Sequence, residues 1–208
     1  MAGKFIWAAL LVTAALVPPL ALAGTTGIGE RTRAVLQQSF QAKGQAGMDR
    51  LEQDDVQRAC SRTAKQVPLS AAETLRLMEA QAAAIRYPAD GNYLGDWENG
   101  EKIAQSGVGM QSSDDPAKPS GGNCYACHQL SGSEVAYGTI GPSLHKYRTL
   151  REGDPELARR TYAKIYNPQA SMPCSKMPRF GHKNILTEAQ LKDVVALLLD
   201  PASPVNKE

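Results

Sequence analysis

Aromatic residues make up only 6 % of this 208-residue chain, and there are three histidines and four cysteines. Nothing alternates convincingly with period two over five or more residues, which argues against half-buried strands, and the abundance of alanine favours helices. Charge of one sign is also missing: the formal net charge is +2, with no basic tail and no aromatic residues interleaved with Lys and Arg. Nucleic-acid binding is therefore not expected. Internal repeats and low-complexity tracts are absent, and past the first segment no apolar run is long enough to span a bilayer. A second C-x-x-C pair, the usual partner in a structural zinc site, is lacking as well.

The first segment, "MAGKFIWAALLVTAALVPPLALAG", reads as an export signal: Lys4 gives a positive start, Phe5 to Val17 an apolar core, and Ala21-Leu22-Ala23 a small-residue cleavage site. The division expected is a signal peptide at 1–23, a helical extension at 24–90 and a main domain at 91–208. Loss of Lys4 takes the formal charge from +2 to +1, and the mature chain is expected to be soluble and outside the cytoplasm.

Helical patterns dominate the rest of the chain. Arg31 to Lys43 places Val35, Leu36 and Phe40 on one face, and Met48 to Thr63 carries Met48, Leu51, Val56 and Cys60. Ser70 and Glu73 form a capping-box pattern, and a short helix starts at Asp96 with Trp97, Ile103 and Ala104. A Gly/Ser/Asp/Pro-rich loop spans Gly107 to Gly122, and a further helix runs from Pro155 to about Tyr166. The last helix opens on Thr187 and Gln190, carries Leu191, Val194, Val195, Leu198 and Leu199, and stops at Pro201. The fold class predicted is all-α.

Within "SGGNCYACHQL" the spacing Cys124-x-x-Cys127-His128 allows three chemistries: a redox disulfide, a zinc half-site or covalent haem attachment. A thioredoxin-like motif needs a strand before it, and here a Gly-Gly turn stands in that place. Zinc would need ligands gathered from isolated residues, Cys60, Cys174, His145 and His182. Haem c asks for less: one turn between two thiols matches the separation of the haem vinyl groups, and His128 stands beside them to bind the iron. An exported c-type cytochrome with one covalent haem is the expectation.

For the sixth iron ligand the candidates are Met48, Met78, Met110, Met172, Met177, His145 and His182. Met48 and Met78 sit at helical spacing and read as core packing; Met110 reads as surface or packing, and His145 and His182 as solvated loop residues. Met172 and Met177 both precede a proline in the loop before the last helix. That is where class I cytochromes c, which this part of the chain resembles, place their ligand Met, and "KMPRFG" favours Met177. "GTIGPSL" resembles that family's loop behind the proximal histidine, which implies a packing role for Pro142, the turn at Ile140 or Gly141, and a nearby carbonyl orienting the His128 ring.

The combination "GNCYACHQ", "GTIGPSL" and "MPRFGHKNILTEAQLKDVVALLLDPASPVN" resembles SoxX, the smaller cytochrome of the sulfur-oxidising SoxAX complexes, over roughly Gly91 to Asn206. The resemblance implies Cys124 and Cys127 bonded to haem c, with His128 and Met177 as axial ligands and no catalytic residue in this chain. It also implies a larger SoxA-type cytochrome as partner, a SoxYZ-type carrier whose cysteine is joined to thiosulfate, and a soluble cytochrome c that takes the electrons onward. The chain's own part would be to accept the electrons released. A free-standing periplasmic shuttle is the competing expectation, and a sensing or peroxidatic haem protein a third.

Cys60 and Cys174 remain. In an oxidising compartment an internal disulfide is the simplest account, beside two unlinked thiols or a bond to a partner. From His145 to Lys183 basic residues outnumber acids nine to three. The segment is either a set of solvated faces or a steering surface for an anion or an acidic partner, and Arg179 is the residue singled out for testing.

Overall fold

The computed structural model describes residues 28–64 and 66–207. The expected signal peptide at 1–23, with its cleavage after Ala23, lies outside the described residues. No helix among those described is long and apolar enough to cross a membrane. The described residues fall into two compact units, one ending at Phe40 and the other starting at Gln41. The first contains α1 (Ile28–Ser39), which starts earlier and ends earlier than the apolar pattern predicted. Its Val35 and Leu36 are exposed.

The second unit holds α2 (Asp55–Thr63), α3 (Ala71–Ala83), α4 (Trp97–Gln105), α5 (Leu157–Tyr166) and α6 (Glu188–Leu199), with short 3-10 turns between them. The described residues form no strand, only an isolated bridge between Lys43 and Ala46. Three helices make the core: Ile103 and Ala104 of α4, Tyr162, Ile165 and Tyr166 of α5, and Leu191, Val194, Val195, Leu197 and Leu198 of α6.

The α4–α6 crossing depends on glycine. A Cβ on Gly100 would stand 2.1 Å from the Asp193 carbonyl oxygen. Across the same contact the Asp193 carboxylate accepts the Asp96 amide at 2.9 Å and the Asn99 side chain at 2.6 Å. Both helices begin as their sequences require. Asp96 caps α4 through the Glu98 amide, and Thr187 and Gln190 complete a full capping box on α6.

The far end of α6 is closed by the tail. Asn206 donates to the carbonyls of Leu198 and Asp200, Ser203 to that of Leu197, and Arg148 to that of Leu199. The last carbonyls of a helix have no partner within it, and "SPVN" folds back to supply several.

Three expectations change at the start of this unit. Met48 to Thr63 is not one helix: a 3-10 turn, Met48–Leu51, precedes α2, because Asp54 and Gln57 form a capping box that starts a new helix. Met48 is exposed instead of packed. Ser70 caps α3, but the Glu73 carboxylate pairs with Arg62 of α2, so only half of the predicted box forms.

Residues 41–90, read as part of an extension, fall within the same compact unit as the domain they precede. Val56 and Ala59 of α2 bury against Leu77 of α3. The Asn167 side chain donates to the Gln81 backbone and side chain at 3.2 and 3.0 Å. Cys60 and Cys174 form a disulfide with Cα atoms 5.5 Å apart. Closing a loop of 114 residues contributes about 5 kcal/mol in the chain-entropy account.

Candidate functional site

The Cys124–Cys127 stretch hangs from the end of α4. Gly122 donates to the Ile103 carbonyl at 2.8 Å and Asn123 to that of Ser106 at 2.9 Å. A Cβ on Gly121 would lie 2.1 Å from the Ser106 oxygen, so the chain approaches α4 more closely than any other residue permits. Asn123 then takes a left-handed backbone (φ 47°, ψ 41°), which Asn tolerates, and starts a single 3-10 turn over Cys124–Ala126. The Cys127 and His128 amides both return to the Cys124 carbonyl. The two thiols and the imidazole thus share one turn, as their spacing predicted.

Cys124 packs against the core formed by α4, α5 and α6. Burial pushes its thiol up to about 12, so at neutral pH it is protonated, unlike the depressed thiol of a redox C-x-x-C. Among the described residues no three His, Cys, Asp or Glu side chains gather to hold a metal ion. Neither observation favours the disulfide-exchange or the zinc reading.

His128 is seated by residues 138–144. Gly138 donates to the Tyr125 carbonyl, Gly141 to that of Cys127 and Leu144 to that of Gln129. These bonds lace the segment along the motif, and Pro142 presents its carbonyl to His128 Nδ1 at 2.7 Å. A carbonyl only accepts, so Nδ1 carries the proton and the Nε2 lone pair is left free to bind iron. The predicted orienting carbonyl belongs to Pro142.

Of the methionines in the loop before α6, Met172 is exposed, whereas Met177 is half-buried and lies on the same core that receives Cys124. Met78 is half-buried on α3, and Met110 is half-buried in a left-handed turn at φ 66°. The two loop histidines are less solvated than expected. His145 is half-buried, with its Nδ1 enclosed and without a partner among the described atoms. His182 is half-buried, and its backbone is tied to the Tyr166 carbonyl.

The basic segment turns out to be largely engaged at home. Arg159 pairs with Glu156 and Arg160 with Asp154, while Arg179 and Lys183 both reach Asp54. Lys164 donates to Ser171 and Arg151 to the Tyr147 carbonyl. Arg179 is 6 % exposed, with Nη2 at 2.6 Å from Asp54 Oδ2. Its Nη1 is enclosed and unpartnered among the described atoms. Sequence reasoning missed this ion pair. The D-x-x-Q capping signal at Asp54 was there to be read, but nothing local links it to Arg179.

Two groups here titrate abnormally. Burial works to raise the Asp54 pKa, but the Gln57 amide, Arg179 and Lys183 outweigh it and hold the carboxyl below its usual 3.8. Burial, helped by the cations of Arg179 and Lys183, lowers His182 below its usual 6.5, against a small opposing pull from Asp54. Both folded values are depressed. The stability they carry is present above the unfolded values and is lost as pH falls through the folded ones. The melting temperature is expected to start falling below about pH 6.5 and to fall further below about pH 4. Asp54→Asn should flatten the second step, as melting curves at constant ionic strength would show.

The residues fit a covalent haem. Two protein thiols are uncommitted and one turn apart, one imidazole has its free nitrogen fixed by a carbonyl behind the ring, and a thioether lies against the shared core. The Cytochrome c family profile matches residues 97–200, from the first residue of α4 to just past α6. The chain is similar, at 40 % identity over 158 residues, to an uncharacterised lipoprotein of Aquifex aeolicus (strain VF5), with 74 % of this chain and 73 % of that protein covered. With its all-α core, its C-x-x-C-H turn and this match, the chain belongs to the cytochrome c family and carries covalently attached haem c.

Proposed function

We propose that this chain is the electron-accepting, single-haem subunit of a SoxAX-like complex. Cys124 and Cys127 would form the thioethers, and His128 and Met177 would supply the protein ligands to the iron. Haem c supplies a one-electron iron couple whose potential depends on its axial ligands. The protein's share is to hold the His128 tautomer through Pro142, to keep Met177 against the core, and to exclude water with the side chains of α4, α5 and α6.

The observation that carries the reading is the stretch Met177–Asn206, the part most similar to SoxX. Thr187 and Gln190 open α6, and Ser203 and Asn206 close it. These residues give that motif its physical meaning. In the reaction implied, a carrier cysteine thiol and thiosulfate become joined sulfur to sulfur, with loss of one proton and two electrons. The sulfur chemistry belongs to the larger SoxA-type cytochrome and the SoxYZ-type carrier. This chain takes the electrons and hands them to a soluble cytochrome c. The lipoprotein relative, the disulfide and the haem attachment support a location outside the cytoplasm, in the periplasm.

Stopped-flow absorbance of the full-chain holoprotein tests the role. Thiosulfate is expected to reduce the haem only when the SoxA-type and SoxYZ-type proteins are both present. Absence of reduction in that mixture, with ready reduction by other donors, would leave the free-standing shuttle as the function.

A further inference from the structure

We infer that α2 braces the iron-binding methionine, and that Asp54 and Arg179 are positioning residues for it. The inference rests on Met177 being the sixth ligand. Two attachments bind α2 to the loop, one on each side of Met177. Cys60, in the last turn of α2, is bonded to Cys174, three residues before the methionine. Asp54, the N-cap of the same helix, holds Arg179, two residues after it. From Asp54 to Cys60 the helix rises about 9 Å, a span that bridges the six residues 174–179.

Both attachments are fixed at their own ends. Asp54 Oδ1 accepts the Gln57 amide at 3.0 Å while Oδ2 faces Arg179, so the carboxylate cannot swing away without uncapping α2. Lys183 reaches the same oxygen at 3.5 Å. The inner face of α2, Val56 and Ala59, is buried on Leu77 of α3. α3 is pinned by Gln81 to Asn167, just before the loop begins.

Between the two grips the loop has little hold of its own. Ser175 donates to the Met172 carbonyl, and Met177 donates to the Ser175 side chain at 3.3 Å. No helix or strand includes residues 174–179. A neutral thioether is a weak donor that small nitrogen ligands displace readily. How often it leaves the iron therefore depends on how firmly the loop is held from outside. α2 provides that hold by a covalent bond and by an ion pair whose arginine is buried.

The test uses the oxidised full-chain holoprotein titrated with imidazole, monitored by loss of the Met-to-iron charge-transfer band. The variants are Asp54→Asn, Arg179→Gln, Arg179→Lys, Met177→Ala and the pair Cys60→Ser with Cys174→Ser. Asn still caps a helix, so Asp54→Asn keeps α2 while removing the charge, and circular dichroism checks that it does. Removing one partner of a buried ion pair is strongly unfavourable, and apparent affinity for imidazole scales with the fraction of protein whose methionine is off the iron. Asp54→Asn, Arg179→Gln and the double serine variant are each expected to bind imidazole about tenfold more tightly than wild type. Arg179→Lys should restore most of the wild-type value. If Met177→Ala lacks the band while the brace variants bind imidazole within about twofold of wild type, the brace is overturned and the ligand stands. If Met177→Ala keeps the band, the ligand assignment fails and the brace falls with it.

Discussion

Met177→Ala is expected to abolish the Met-to-iron charge-transfer band of the oxidised protein and to lower its reduction potential, while Met172→Ala leaves both unchanged. The contrast comes from placement. Met177 is half-buried against the core that also receives Cys124, and Met172 points into solvent at 58 % exposure. Axial ligands move haem potentials across a range of about 0.8 V, and Met/His ligation lies toward the high end. Apart from His128, the other proposed iron ligand, no single side chain in this protein is expected to shift the potential as far. Near-infrared absorption and a redox titration of the two variants beside wild type check it. Persistence of the band in Met177→Ala would transfer the role to Met172 or to a histidine. His182 is the nearer of the two in sequence and is held neutral by its burial and by the cations beside it.

Gly141→Ala is expected to be strongly damaging to haem attachment, because its clash falls on the imidazole itself. The added Cβ would stand 2.1 Å from Cε1 and 2.4 Å from Nδ1 of His128. The ring cannot yield cheaply, because its Nδ1–H is donated to Pro142. The backbone cannot yield either, because the Gly141 amide is held by the Cys127 carbonyl at 2.7 Å. Overpacking typically costs about 1–3 kcal/mol, occasionally more, and here the displacement falls on the imidazole that binds the iron. Haem-bearing protein, measured by in-gel haem stain and haemochrome absorbance, should fall about tenfold or more, since about 1.4 kcal/mol already corresponds to a factor of ten. Gly107→Ala is the control: its Cβ would meet Asn123 Nδ2 at an ordinary 3.4 Å, and near-normal yield is expected. Equal yields from the two variants would mean that the loop can shift and that the Pro142 seat is not what fixes His128.

Much of this site was legible in the sequence because its rules are local. Asp96 and Thr187 announce their helices by hydrogen-bonding amides two or three residues on, and the structure keeps both. The C-x-x-C-H turn is short enough that spacing alone places two thiols and an imidazole together. Two expectations gave way where an adjacent helix or an overlooked cap competed. Glu73 left its capping box for Arg62, and the Asp54 cap divided a stretch whose apolar spacing read as continuous helix.

The sequence by itself determined the helical class, the chemistry of residues 124–128 and the residue types available to bind iron, since each depends on contacts within about one turn of chain. The tertiary structure alone decided which carbonyl orients His128, that Cys60 meets Cys174 across 114 residues, and that Arg179 is buried on Asp54 instead of facing a partner. Such pairings depend on how the helices pack. A buried charge takes whatever opposite charge the packing brings to it, and no spacing rule along the chain carries that information.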